Sequence, residues 1–429
     1  MKVLIKKSKG FKGEILIPGD KSISHRAAFL GSMASGFTEI TNFLFAGDCL
    51  STIRCLQNIG VDVKREENNR IIIRGRNLYS FSEPKSILDA KNSGTTARFL
   101  LGLLSGQSFF SIITGDSSLQ KRPMGRVVEP LRKMGSWIEG RNRGNNLPLA
   151  IQGQKLKGIK YKIPIHSAQL KSALIIGGLL SDGMTALEEP LPTRDHTERM
   201  LHFLEADIKK QGGLIRIRGR NRFKGGKIII PGDISSASYF IAAATLIENS
   251  SIHIPNIGIN SIRIGFINTL KKMGGKITIN EKKTICNEPV ATLTVSSSNL
   301  KGIEIKPDEI PTLIDEIPLI ALLAAQAKGK TIIRGASELR VKESDRLKTI
   351  VSNFRKMGVE VEEMEDGFII EGPQQLKGAS LQSFGDHRIA MTMAIAGLLA
   401  EGKTEIENFS CYKVSFPDFY SILQKWENG

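Results

Sequence analysis

One pattern returns six times along the chain: an apolar helical stretch, a stop of the glycine type, then a short strand. The copies run 24–36 into 37–43, 95–106 into 108–114, 169–183 into 184–187, 236–249 into 251–254, 315–329 into 330–334, and 386–402 into 403–406. The stops lie 66 to 80 residues apart, with Asn249 in the place that Gly holds elsewhere. Asn is the usual substitute for Gly where a helix ends in a left-handed residue. Recurrence at so regular a spacing means one supersecondary unit laid down repeatedly, and it constrains the fold more than any local propensity does.

A second helix is predicted in each copy, as over 48–60, 126–135, 261–274 and 342–358, which close on a Met-Gly or Ile-Gly step. Alternating segments such as 61–64 and 70–74 come next and read as strands. The unit is therefore β-α-β-α-β-β. In the sixth copy the sequence stops after a helix near 417–426, so its strand pair is expected from 3–7 and 14–17. Ile17-Pro18-Gly19-Asp20-Lys21-Ser22 echoes Ile230-Pro231-Gly232-Asp233-Ile234-Ser235, and both read as crossovers between lobes. An α/β fold in two lobes follows, three repeats in each: 20–230, and 1–19 plus 231–429.

Composition narrows the class. The 429 residues are 41% hydrophobic, enough for two large cores. Cys49, Cys55, Cys286 and Cys411 have neither the spacing of a zinc site nor that of a disulfide framework, so reduced thiols in a cytoplasmic protein are expected. No signal peptide and no apolar run long enough to span a membrane is read. The formal net charge of +17 admits either nucleic acid or small acidic substrates. Five Tyr, two Trp and no basic stripe interleaved with aromatics weigh against nucleic acid.

The residues able to carry chemistry gather at the starts of the repeated first helices. Lys21, Ser22 and Arg26 open the first, 92–96 the second with Gly94, Ser167-Ala168-Gln169 the third, Asp315-Glu316 the fifth and Asp386-His387-Arg388 the sixth. Unpaired N–H groups and the positive dipole end make such places suited to phosphate and carboxylate. Gly94 lets backbone approach a ligand. Capping is the simpler reading of Ser22, Ser93 and Asp386 taken alone. It does not explain Lys21, Arg26 and Arg388, which oppose the dipole unless an anion is present. Lys342 and Arg346, four apart in a run read as the start of a helix, are expected to share its face, with Glu343 beside them either a surface ion pair or an acid/base. His25, His166, His196 and His387 adjoin these motifs. No HExxH, P-loop or GxGxxG fingerprint occurs, so neither metal nor cofactor is expected.

Taken together, Gly19-Asp20-Lys21-Ser22-Ile23-Ser24-His25-Arg26, Asn92-Ser93-Gly94-Thr95-Thr96-Ala97-Arg98, Lys121-Arg122-Pro123-Met124, Ser167-Ala168-Gln169-Leu170-Lys171-Ser172, Arg194-Asp195-His196-Thr197-Glu198, Asp315-Glu316, Arg340-Val341-Lys342-Glu343-Ser344-Asp345-Arg346 and Gly385-Asp386-His387-Arg388 resemble the EPSP synthases, the 3-phosphoshikimate 1-carboxyvinyltransferases, over essentially the whole chain. The resemblance implies an inside-out α/β barrel of the enolpyruvyl transferase type, built of six β-α-β-α-β-β repeats. It implies transfer of the enolpyruvyl group of phosphoenolpyruvate to the 5-hydroxyl of shikimate 3-phosphate by addition and elimination. That is the sixth step of the shikimate pathway, carried out by a cytoplasmic monomer. It further implies that Lys21, Ser22, Arg26, Ser167, Ala168, Gln169, Arg194 and Lys342 hold shikimate 3-phosphate. Lys21, Gly94, Arg122, Gln169, Arg346 and Arg388 hold phosphoenolpyruvate. Asp315 takes the hydroxyl proton, and Glu343 with Lys21 handles the proton at the methylene carbon.

The chain departs from the common bacterial pattern near its C-terminus. There Lys directly precedes Ser/Thr-Phe-Pro, whereas here Val414 precedes Ser415-Phe416-Pro417 and Lys413 sits one place earlier. The related transferase that acts on UDP-N-acetylglucosamine is the nearest alternative. It carries a reactive Cys in the loop where this chain has Asp116-Ser117-Ser118-Leu119-Gln120-Lys121, and Lys-Asn where this chain has Lys21-Ser22.

Overall fold

The computed structural model describes residues 1–427, with side chains through 425. The chain divides into two compact units, one of 19–230 with 285–288, the other of 1–18, 231–284 and 289–429. Each has its own apolar core. The fold is mixed α/β.

The 19–230 unit holds three four-stranded sheets of one plan. In the first, Lys227–Ile229 runs parallel to Phe37–Thr41, which pairs antiparallel with Arg70–Arg74, and that with Asp62–Glu66. The second repeats the order with Leu88–Asp89, Phe110–Thr114, Asn146–Gln152 and Trp137–Gly140. The third uses Lys160–Lys162, Met184–Glu188, Leu214–Arg218 and Ile208–Gln211. The helices Lys21–Met33, Gly94–Ser105 and Ala168–Leu179 feed the second strand of each sheet and are buried on nearly every side. A helix apolar all round is stable only when covered all round. Gly102 lets two of them close up: a Cβ there would stand 2.4 Å from the Ala173 carbonyl oxygen.

The other unit follows the same plan twice. Lys12–Glu14, Ser251–Gly258, Glu288–Ser296 and Lys276–Ile285 form one sheet, and Glu304–Ile305, Gly329–Ile333, Gly367–Gly372 and Glu362–Met364 another. Its buried helices are Ile234–Leu246, Ile317–Gln326 and His387–Gly397. The last sheet has three strands, Ser380–Gln382, Thr404–Glu407 and Val3–Ile5. Among the described residues all six sheets are open and none closes into a barrel. No helix among them is long and apolar enough to cross a membrane.

Two expectations need correction. The N-terminus supplies one strand to the last sheet, not a pair: Val3–Ile5 joins it, while Lys12–Glu14 goes to the sheet of Ser251–Gly258. Phe11 decides this. Its side chain is buried, its N–H donates to Ser250 Oγ at 3.0 Å and its carbonyl accepts from Ser251 N–H at 2.7 Å, so the following residues are laid beside 251–253. The stops at Gly36, Gly183, Asn249, Gly329 and Gly402 have the left-handed φ expected of them, Asn249 at 58°. Gly106 does not, with φ of −99°.

Candidate active site

Five of the six buried helices start with a side-chain cap, and Ile317–Gln326 does not: Asp20 accepts from Ile23 N–H, Ser93 from Thr96, Ser167 from Leu170, Asp233 from Ser235 and Asp386 from Arg388. Capping therefore accounts for Ser93 and Asp386, and also for Ser167. It does not account for Ser22, because Asp20 takes that role.

In the 19–230 unit Arg26 is the centre of a polar cluster. Its Nε donates to Thr197 Oγ1 at 2.8 Å, one Nη to the Ser22 carbonyl at 3.0 Å and the other to Ser172 Oγ at 2.9 Å. The guanidinium lies 5.1 Å from the centre of the Phe99 ring. Among the described residues no carboxylate forms an ion pair with it. Burial lowers its pKa to about 10, although Glu198 and others oppose this, so it remains a cation whose neighbours at hydrogen-bond distance are neutral. A buried cation in such company favours an anionic ligand. Arg194 reaches Ser22 Oγ at 3.4 Å. Lys21 forms a 2.9 Å ion pair with Asp48, so part of the anion it calls for is supplied by the protein.

A second cluster surrounds Gly94. Arg98 donates to Gln169 Oε1 at 2.8 Å and to the Pro123 carbonyl at 2.9 Å, and Gln169 donates to Thr95 Oγ1 at 2.8 Å. Arg122 donates to Asn92 Oδ1 at 2.9 Å. A Cβ on Gly94 would stand 2.6 Å from an Arg98 Nη and 3.5 Å from one of Arg122. Glycine thus leaves room at a helix start flanked by two guanidiniums. Ala168 opens its helix directly after the Ser167 cap.

The loop that carries Arg194 is pinned by a buried group of charges that the sequence did not reveal. Lys171 Nζ lies 2.8 Å from Glu189, 2.8 Å from Glu198 and 3.1 Å from the Thr193 carbonyl, and its side chain has no exposed surface. Glu189 also accepts from Thr193 N–H at 2.9 Å. A lysine inside an otherwise apolar helix was the available signal. His196 is bonded to Glu288 at 2.8 Å, and His166 is exposed in the loop before Ser167.

The unit that includes 231–284 and 289–429 gathers a different kind of site. Arg346, with 1% of its side chain exposed, donates from Nε to Asp386 at 2.8 Å, from one Nη to Glu343 at 2.6 Å and from the other to Asp315 at 3.3 Å. Arg388 lies 3.5 Å from Asp315 and 3.6 Å from Glu316, and donates to the Asp315 carbonyl at 3.3 Å. Ser235 donates to Glu316 and accepts from Arg263 at 2.9 Å. Burial works against charge on Arg346, but Asp386, Glu343 and Asp315 overcome it and hold its proton more tightly than usual. Arg388 is likewise raised, with Asp315 the main opponent of burial. Carboxylates are as prominent here as arginines, so this cluster is suited to moving protons as well as to binding anions.

Asp315 lies in a 3-10 turn, Ile314–Glu316, ahead of its helix rather than within it. Lys342 and Arg346 do not share a helix face. Asp345 caps the helix by accepting from Lys348 N–H, so the helix begins at Arg346 and leaves Lys342, itself extended, in the bend that follows the 3-10 turn Ser337–Val341. Asp315, Glu343, Arg346 and Arg388 are brought together; Lys342 is half-buried four residues before Arg346. Lys413 is exposed in the 3-10 turn Phe409–Val414.

A family model described as EPSP synthase (3-phosphoshikimate 1-carboxyvinyltransferase) matches residues 5–423. A 3-phosphoshikimate 1-carboxyvinyltransferase of Thermoanaerobacter sp. (strain X514) is 51% identical over 423 residues, 99% of each chain. A solved structure of EPSP synthase from Acinetobacter baumannii superposes with a TM-score of 0.88 at 40% identity, over 99% of this chain and 98% of that one. The enolpyruvyl transferase NikO from Streptomyces tendae, 17% identical with a TM-score of 0.80 over 99% and 97%, shares the fold.

Proposed function

The chain belongs to the EPSP synthase family, and from that membership we propose that it transfers the enolpyruvyl group of phosphoenolpyruvate to the 5-hydroxyl of shikimate 3-phosphate, releasing phosphate. The observation that carries the reading is one buried guanidinium, Arg346, holding both Asp315 and Glu343. Addition across the enol double bond needs one group to take a proton from the attacking hydroxyl and another to give a proton to the methylene carbon. Elimination needs the second transfer reversed. Two carboxylates oriented by a common cation can serve both steps. Asp315 takes the hydroxyl proton, and Glu343 with Lys21 serves the methylene.

Binding is assigned from membership of the family, and the charges agree with it. Lys21, Ser22, Arg26, Ser167, Ala168, Gln169, Arg194 and Lys342 hold shikimate 3-phosphate. The neutral surroundings of buried Arg26 support a phosphate or carboxylate there. Lys21, Gly94, Arg122, Gln169, Arg346 and Arg388 hold phosphoenolpyruvate, whose phosphate and carboxylate match forked guanidiniums. The six sheets are proposed to be copies of one repeat, three in each of the lobes 20–230 and 1–19 plus 231–429, in the inside-out barrel of this family. The protein acts as a cytoplasmic monomer without metal or cofactor.

The test is phosphate release from phosphoenolpyruvate with shikimate 3-phosphate as acceptor. Release only with UDP-N-acetylglucosamine would overturn the assignment.

A further inference from the structure

His25 sits one residue before Arg26 on the helix Lys21–Met33, buried among hydroxyls. Its Nδ1 lies 2.7 Å from Thr52 Oγ1, Thr52 Oγ1 lies 2.7 Å from Thr96 Oγ1, and Thr96 Oγ1 donates to Ser93 Oγ at 2.7 Å. The four side chains come from three helices or their caps, and all are buried. Counting protons gives the chain a direction. Each threonine hydroxyl has one proton to donate. That of Thr96 goes to Ser93, so the Thr52–Thr96 bond uses the proton of Thr52. Thr52 then has none for the imidazole, and Nδ1 must be the donor. The other nitrogen, Nε2, is left as a buried lone pair, and it has no hydrogen-bond partner among the described residues. Burial, reinforced by Lys21 and Arg26, holds the His25 pKa well below the ordinary value, in keeping with a neutral ring.

The chain ends on Ser93, whose Oγ also accepts from Thr96 N–H at 3.2 Å and so forms the cap that leads into Gly94. It therefore links the helix that carries Lys21, Ser22 and Arg26 to the helix start that carries Gly94 and Arg98.

We propose that His25, as the neutral Nδ1–H tautomer, is a positioning residue that sets the Gly94 helix start relative to the Lys21–Arg26 helix through Thr52, Thr96 and Ser93. The proposal rests on the reading of these two places as the phosphoenolpyruvate and shikimate 3-phosphate sites. Misplacing one start against the other should weaken phosphoenolpyruvate binding and slow the addition, and leave shikimate 3-phosphate binding nearly unchanged.

Four variants test this. His25→Leu removes the donor at similar size, and Thr52→Val removes the relay with little change of shape. His25→Asn places an amide N–H where Nδ1 stood, whereas His25→Gln places it near Nε2, out of reach of Thr52. His25→Leu and Thr52→Val are expected each to raise the KM for phosphoenolpyruvate about tenfold, the scale of a lost buried hydrogen bond. The KM for shikimate 3-phosphate should change less than about twofold. His25→Asn should return most of the loss and His25→Gln should not. Independently, the 15N spectrum of the wild-type ring should show a protonated Nδ1 and a bare Nε2. An Nε2–H tautomer overturns the proposal even if a variant fails to fold. So does wild-type kinetics in His25→Leu, or rescue by Gln equal to that by Asn. A wild-type protein that released no phosphate with shikimate 3-phosphate would instead defeat the functional reading, while the tautomer remained measurable.

Discussion

Replacing Lys171 by Met keeps the length of the side chain and removes its charge. In the native protein the ammonium is 2.8 Å from Glu189 and 2.8 Å from Glu198, and these side chains are 0%, 3% and 7% exposed. Lys210, at 3.5 and 3.7 Å from the same carboxylates and with 31% of its side chain exposed, would compensate them only in part. Removing one partner of a buried ion pair costs about 3–5 kcal/mol, because the other is left buried and uncompensated. For a unit of this size each kcal/mol lowers the melting temperature by about 2–4 °C, so a fall of about 6–20 °C is expected near neutral pH. The effect must depend on pH, and its sign is set by Glu189. Burial alone would raise the Glu189 pKa, but Lys171 leads the contacts that lower it below the ordinary value. A depressed carboxylate adds stability that is present above its unfolded pKa of about 4.3 and is lost as pH falls through the folded value. In Lys171→Met the largest part of that contribution is gone at neutral pH, leaving the Thr193 bonds and Lys210 against a burial that favours the protonated acid. The gap between the two proteins should therefore narrow as pH is lowered towards about 4.5. Adding Glu189→Gln and Glu198→Gln to the variant should recover part of the loss near neutral pH. Thermal melts followed by circular dichroism at the two pH values decide it. A gap below about 2 °C, or one unchanged with pH, refutes the account of Lys171 as a buried charge that pins the Thr193–Arg194 loop.

Asp315→Ala should lower kcat by about two to four orders of magnitude, the usual contribution of a positioned acid/base, with substrate affinity largely kept; turnover equal to wild type removes Asp315 from the chemistry. Arg388→Ala should raise the phosphoenolpyruvate Kd by at least about tenfold, as befits a charge-assisted contact, and an unchanged Kd in calorimetry would mark it as structural. Gly94→Ala should raise the phosphoenolpyruvate KM, because its Cβ would stand 2.6 Å from an Arg98 Nη already bonded to Gln169; steady-state kinetics with an unchanged KM would show that Arg98 yields without consequence. Asp386→Asn should lower kcat by about tenfold or more, since it removes the charge that holds Arg346, and with Arg346 the orientation of Asp315 and Glu343; wild-type kcat would refute that link.

Much of the local structure was legible from the sequence for a simple reason. Helix caps and stops act over three or four residues, so Ser93, Ser167 and Asp386 could be read as caps or helix starts, and Asn249 as a left-handed stop, without knowledge of the rest. The motifs that mark the family are also contiguous runs. The failures came where local and distant demands compete. The 342–346 run looked helical, but Asp345 takes the cap and moves the helix start to Arg346. Ser22 looked like a cap, but Asp20 lies two residues ahead and takes the Ile23 N–H.

That cations stand at helix starts and need an anion was a statement about residue type, and sequence alone could make it. Which anion each cation meets is a matter of distance in three dimensions. Lys21 finds Asp48, 27 residues away; Arg346 finds Asp386, 40 away; Lys171 finds Glu189 and Glu198 in the next segments of its own repeat; and Arg26, among the described residues, finds hydroxyls, a carbonyl and an aromatic ring. Charge pairing falls off steeply once water intervenes, so a partner counts only when the packed core brings it within a few ångströms and excludes solvent. The sequence determined where the cations stand on their helices; packing of those helices decided which of them the protein itself neutralises.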